Sequence, residues 1–323
     1  MEYRKLGRTG LKVSAFCLGT MTFRWTSSEE ESYRVLERAW EAGITFIDTA
    51  DIYTTWAPSA GGGVSEEIIG KWLKGKPREQ VVLATKCRGR MWEGANGEGA
   101  SRQHIMLAVE GSLRRLQTDV IDLYQIHSPD WDTPLDETMR ALDDLVRQGK
   151  VRYIGCSNFQ AWYLMKANAI AERSGYTRFD SVQPHFHLLN RREIEPETAL
   201  LCLEEGIGMI PYSPLASGFL TGKYSRENPT TGSRGGVQRY FNEDGFKVID
   251  TLREIGSRRG KTVAQMALAW QLSLPFITAP IVGANTVEQL NESLGAVGER
   301  LNEEEMTLLD TVTGVNRDYK ARR

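Results

Sequence analysis

Short apolar runs alternate with longer amphipathic stretches along almost the whole chain. The runs at 15–18, 44–47, 81–84, 120–126, 151–156, 181–182, 207–211 and 277–282 read as eight strands, because short uninterrupted apolar runs suit strands buried on both faces. Between them, apolar residues recur at spacings of three and four, as in Val35, Leu36, Ala39 and Trp40, or Met139, Leu142, Leu145 and Val146, which is the stripe of a surface helix. Strand followed by helix, repeated eight times, implies a parallel sheet. In 323 residues it fits a TIM (β/α)8 barrel better than a doubly wound sheet. The expected organisation is a single barrel domain spanning 1–323. An N-terminal β-hairpin precedes it, with runs at 3–7 and 11–14 around Arg8-Thr9-Gly10. Ser28 before Glu29-Glu30-Glu31 and Ser65 before Glu66-Glu67 are the expected helix caps. Two segments lie outside the repeat: 213–244, glycine-rich and polar, is too long for an ordinary connection and reads as a functional loop or a disordered stretch, and 302–314 reads as an extra helix.

Composition narrows the partners. Hydrophobic residues make up 41% and charged residues 25%, with a formal net charge of −2; that is a soluble globular chain without a field for nucleic acid or a basic face for membranes. Small molecules are the expected partners. Cys17, Cys87, Cys156 and Cys202 are far apart and sit in or beside apolar runs, so neither a disulfide framework nor a zinc site is expected. Met1 leads directly into charged residues without an apolar signal core, which points to the cytoplasm.

Barrel active sites lie at the C-terminal rim of the strands, and here those ends are polar: Asp48, Lys86, His127, Ser157-Asn158, Gln183 and Tyr212-Ser213. Buried singly, Asp48 and Lys86 would be costly; on adjacent strands they can compensate each other. An ammonium beside a phenol favours the phenolate and would pull its pKa below the usual value of about 10. Tyr53, just beyond Asp48, is the phenol within reach.

The stretch from Gly43 through Asp48-Thr49-Ala50-Asp51-Ile52-Tyr53 closely resembles the aldo-keto reductase signature. Leu83-Ala84-Thr85-Lys86, Asp119 to His127, and Ile154-Gly155-Cys156-Ser157-Asn158-Phe159 resemble that superfamily's later motifs in order and spacing. The likeness covers nearly the whole chain and leans to the branch that holds potassium-channel β-subunits and bacterial aldo/keto reductases. It implies a catalytic tetrad of Asp48, Tyr53, Lys86 and His127. Tyr53 would be the proton donor, tuned by Lys86, which Asp48 holds, and His127 would bond the substrate oxygen.

The same resemblance implies a nicotinamide cofactor without a Rossmann loop. Ser157, Asn158 and Gln183 would hold its carboxamide and Tyr212 would stack on its ring, with Thr20, Met21 and Asp48 nearby. Ser213, Pro214, Leu215, Ser217, Gly218, Lys223 and Arg234 would clamp the pyrophosphate, and Gly283, Asn285, Gln289 and Glu292 the adenosine end. NADPH is expected on the charge of Lys223 and Arg234. NADH is the alternative, because Gly283, Ala284 and Gln289 stand where the classical aldose reductases carry a Lys-Ser pair and an arginine for the 2′-phosphate. Trp25, Trp56, Trp92 and Trp131 fall in the loops after the first four strands and would line the substrate pocket. Arg24, Asp130 and His185 could favour a sugar-type carbonyl. His185 and His187 alone do not make a metal site, so no metal is expected. The implied activity is NAD(P)H-dependent reduction of an aldehyde or ketone. Its rival is a cofactor-binding redox sensor or channel-accessory subunit with vestigial activity. A serine hydrolase built on Ser157 fails, because Phe159 replaces the glycine a nucleophile elbow requires.

Overall fold

The computed structural model describes residues 1–57, 61–227, 236–317 and 319. β1 (Tyr3–Lys5) and β2 (Lys12–Ser14) pair antiparallel as the hairpin. The strands β3 (Cys17–Gly19), β4 (Phe46–Asp48), β5 (Val82–Cys87), β6 (Ile121–Ile126), β7 (Val151–Ser157), β8 (Phe179–Gln183), β9 (Gly208–Met209) and β10 (Ile281–Gly283) follow. They form one parallel eight-stranded sheet in the order β10-β3-β4-β5-β6-β7-β8-β9. Its two edges are joined by backbone bonds, Thr278 N–H to Met209 O and Ile281 N–H to Pro211 O, both at 2.8 Å. The ring is a TIM-type barrel, and no helix among the described residues is long and apolar enough to cross a membrane.

Around it run α1 (Glu29–Glu41), α2 (Val64–Leu73), α3 (Arg102–Leu116), α4 (Leu135–Arg147) and α5 (Ala161–Ser174). Next come α6 (Arg191–Ile194), which continues through a wide turn at 195–199 into α7 (Leu200–Glu205), then α8 (Glu243–Arg259), α9 (Val263–Ser273), α10 (Val287–Leu294) and α11 (Glu303–Thr313). Ser28 caps α1 by accepting from the Glu31 N–H. Ser65 does not cap α2. That helix starts one residue earlier, behind Gly63 in a left-handed conformation, and the Ser65 hydroxyl instead accepts from Thr49 and donates to Thr20. Glu66 is likewise not a solvated first-turn acid; it is fully buried, paired with Arg115 at 2.7 Å and accepting from Thr85.

The extra helix near the C-terminus is α11, capped by Asn302. The described residues of 213–244 carry regular structure of their own. Tight helical turns occupy Ala216–Thr221 and Val237–Tyr240, and α8 has begun by Glu243. Residues 228–235 lie outside the described set.

Two apolar clusters fill the molecule. The larger lies between strands and helices; the smaller, with Leu6, Val13, Cys17, Phe46, Val82, Ala84, Leu123, Ile210, Ala279 and Ile281, fills the barrel interior. Leu6 and Val13 come from the hairpin, which therefore plugs the N-terminal end. Gly7 makes this fit possible. Its φ is +55°, and a Cβ there would stand 2.4 Å from the Gly206 carbonyl, a space only glycine can occupy. Above the apolar layer, the same two-residue alternation that turns Phe46 and Ala84 inward brings Asp48 and Lys86 to the C-terminal mouth.

Candidate active site

Lys86 is the centre of the mouth. Its ammonium donates to Asp48 Oδ1 at 2.6 Å, to the Thr49 carbonyl at 2.8 Å and to the Tyr53 hydroxyl at 3.0 Å, all buried. The other Asp48 oxygen accepts from Gln183 at 3.0 Å and Gln125 at 3.3 Å, and Gln183 also donates to Gln125. Every strong hydrogen-bonding valence of the Lys86–Asp48 pair is therefore satisfied, the condition under which a buried ion pair is tolerated. Burial alone would depress Lys86, but the Asp48 carboxylate and Tyr53 outweigh it and hold the ammonium above its ordinary value.

Tyr53 does not follow the expectation of a lowered pKa. Burial raises it above the ordinary phenol value, and the opposing pull of Lys86 is smaller because Asp48 offsets that charge. The phenol is thus held protonated. Since Lys86 is the donor in their hydrogen bond, the Tyr53 proton is left free to point out of the barrel.

His127 completes the group. Its ring lies 6.0 Å from that of Tyr53 at 70°, and its backbone is fixed by His127 N–H to Cys87 O and by Asn158 Nδ2 to His127 O. Burial, with Lys86 and Arg88 adding to it, lowers the imidazole to about 3, so at neutral pH it is an uncharged donor. Thr54, directly after Tyr53, is a buried β-branched residue at φ +81°, a conformation that costs energy. Its hydroxyl bonds the Gly61 carbonyl at 2.7 Å, tying down the turn that carries Tyr53.

Along the strand ends beyond His127, Ser157 donates to the Gln183 carbonyl, and Asn158, at φ +60°, donates to Ser157 and accepts from the Tyr212 hydroxyl at 2.9 Å. Tyr212 leans on His185 with 5.2 Å between ring centres. Next to it, Ser213, Ala216 and Ser217 all have φ between +49° and +56°, and Gly218 has +93°. This run makes a tight turn, in which the Ala216 N–H bonds the Ser213 carbonyl and the Gly218 N–H the Leu215 carbonyl, both at 2.9 Å. The Lys223 ammonium stands 3.5 Å from where a Gly218 Cβ would be. Pro214 is buried and Leu215 partly so. Arg234 lies outside the described residues.

Thr20 is buried against the Asp48 carbonyl and Ser65, whereas Met21 is exposed. After β10, Gly283 is exposed, Asn285 is bonded to Thr26, Ser27 and Gln289, and Glu292 accepts from Thr262. Of the four tryptophans, Trp25 and Trp56 meet edge to face at 5.7 Å, and Trp56 stands 6.0 Å from Tyr53. Trp92 stacks instead on His104, and Trp131, 62% exposed, on Trp162 and Tyr163. Gln125 was not singled out from the sequence, although its place two residues after Leu123 on an inward-facing strand could have shown it.

A model of the Aldo/keto reductase family matches residues 15–313. An uncharacterized oxidoreductase, YrpG, of Bacillus subtilis (strain 168) is 41% identical over 97% of this chain and 96% of its own length. A versiconal hemiacetal acetate reductase of Aspergillus parasiticus is 40% identical over 96% of each. A probable voltage-gated potassium channel subunit beta of Oryza sativa subsp. japonica is 34% identical over 92% of this chain and 91% of its own. With a polar quartet at the mouth of a parallel barrel and relatives matched end to end, the chain belongs to the aldo/keto reductase family of oxidoreductases.

Proposed function

We propose that the protein reduces an aldehyde or ketone to an alcohol, with NADPH as the preferred reductant and Tyr53 as proton donor. The observation that carries this reading is the 3.0 Å Lys86–Tyr53 contact, braced by Asp48 at 2.6 Å, beside a neutral His127. A bound nicotinamide dinucleotide supplies the hydride. Tyr53 and the uncharged imidazole N–H then converge on the carbonyl oxygen, and as carbon gains its hydride the oxygen takes the Tyr53 proton. The phenolate left behind is balanced by Lys86, while Asp48, Gln125 and Gln183 keep that ammonium in place. Each turnover moves one hydride to carbon and one proton to oxygen.

For the dinucleotide, Asn158, Ser157 and Gln183 present amides and a hydroxyl beside Tyr212. The left-handed run at 213–218 with Lys223 would take the pyrophosphate, and Gly283, Asn285, Gln289 and Glu292 the adenosine end. Trp25 and Trp56 would line the carbonyl side of the pocket. The four cysteines are buried and unpaired, which suits a cytoplasmic enzyme acting on small molecules. A channel-accessory or sensor role is the second reading, favoured by the plant β-subunit relatives. Steady-state assays of a panel of aldehydes with NADPH and NADH decide between them: turnover lost in Tyr53→Phe supports the reductase, and tight dinucleotide binding without turnover the sensor.

A further inference from the structure

The residue after β5, Arg88, has a backbone φ of +115°, a conformation that persists in a side-chain-bearing residue only where the surroundings impose it. The Arg88 carbonyl accepts from the Gly99 N–H at 2.9 Å. Gly89 is pressed onto Ile52, next to Tyr53, since a Cβ there would come within 2.3 Å of that side chain. On its other side, the His127 N–H bonds the Cys87 carbonyl. The strained turn therefore sits between the segment bearing Tyr53 and the strand end bearing His127.

The guanidinium is partly buried, its Nε is shut from solvent without a hydrogen-bond partner, and among the described residues Arg88 has no ion pair. Its neighbours show how unusual this is. Arg90 is paired with Glu98. Asp130, within reach of the Arg88 charge as His127 is, is committed to the Ala100 and Asp132 N–H groups and the Thr133 hydroxyl. A cation kept half-desolvated, on a strained backbone and bonded to no carboxylate among the described residues, lowers stability for no structural return.

We infer that Arg88 seats a carboxylate on the far end of the carbonyl substrate, making it the specificity-determining residue of the pocket. This rests on the reductase reading above. The planar fork of a guanidinium matches a carboxylate in two parallel hydrogen bonds. A single unpaired arginine matches one negative charge, which favours a carboxylate over a phosphate dianion. The favoured substrates are thus short aldehyde or keto acids.

The test compares 4-carboxybenzaldehyde with the neutral, similarly sized 4-methylbenzaldehyde. The parent prefers the acid. In Arg88→Gln the ratio of the two kcat/KM values falls roughly tenfold or more, the worth of one charge-assisted hydrogen bond, and Arg88→Lys retains part of it. The ratio is internal to each variant, so a loss of folded protein cancels. A ratio equal in parent and Arg88→Gln overturns the inference. Calorimetric titration of the same two aldehydes, with oxidised dinucleotide present, separates it from the reductase reading. Preferential binding of the acid that disappears in Arg88→Gln, without turnover of either aldehyde, keeps the carboxylate seat and discards the reductase. Turnover of both with an unchanged ratio does the reverse.

Discussion

Tyr53 and Lys86 are joined by one hydrogen bond, yet their substitutions have different consequences. Tyr53→Phe removes one oxygen and little volume. The fold and dinucleotide affinity should survive, while carbonyl reduction falls on the order of 10²-fold or more, as single-turnover rates and cofactor titration will show. Lys86→Met leaves Asp48 buried with only amide partners and should also cost about 3–5 kcal/mol of stability in denaturant unfolding. The histidines set the acid limit. His127 is held at about 3 and His187, buried and engaged by the Leu189 N–H and Tyr240, at about 2. Both bind a proton more readily unfolded, near the ordinary value of about 6.5. Their contribution to stability is complete above that value and drains away as pH falls toward 3. His187→Gln should therefore flatten the melting temperature against pH between about 6.5 and 3, and an unchanged slope would contradict the burial argument. The sequence displayed the six polar strand ends but missed the direction of the Tyr53 shift, because burial, the main cause of the rise, and the Asp48 charge that offsets Lys86 are both set by the fold. Arg88 was illegible for a similar reason: its want of a partner is a property of the fold.

At the level of elements, the short apolar runs between amphipathic stretches placed all eight barrel strands, and their boundaries moved for physical reasons. The last apolar run, 277–282, is split between two neighbours: Ile277 bridges Met209, whereas Ile281–Gly283 pairs with β3. Ser65 was misread as a cap because serine before two glutamates is a good signal, overridden here by Gly63. Helix-to-helix ties were not visible at all. Arg191, fully buried in α6, bonds Glu195 through two nitrogens and Thr313 through a third, pairs with Asp310 of α11, and lies 5.4 Å from the Trp270 ring. Arg191→Met leaves the buried Glu195 without its guanidinium, while Asp310 keeps Arg317, and should cost about 3–5 kcal/mol; a loss below 1 kcal/mol in urea melts would show that the Arg191 cluster contributes little to holding α11. Lys223, exposed beside Gly218, has the opposite character. Lys223→Met should leave stability unchanged and weaken dinucleotide binding about tenfold, measured by quenching of tryptophan fluorescence.

For the molecule as a whole, the barrel is apolar at one end and polar at the other, and the hairpin seals the apolar end. Leu6→Ala should destabilise by about 2–5 kcal/mol, because the void opens inside a close-packed interior; chemical denaturation measures it, and an effect under 1 kcal/mol would mean that the plug is dispensable. The contacts of that hairpin also govern the order of events during translation. Arg8 N–H bonds Gly206 O, the Arg4 guanidinium bonds the carbonyls of Leu272 and Ile277, and Cys17 of β3 pairs with Ile281 of β10. Segments synthesised before the barrel helices thus have partners synthesised well after most of them. Until the codons near 280 have been read, the nascent chain is an open sheet with both edges, β3 and β9, bare and an unsealed floor, the kind of long-lived, adhesive intermediate that chaperones shield.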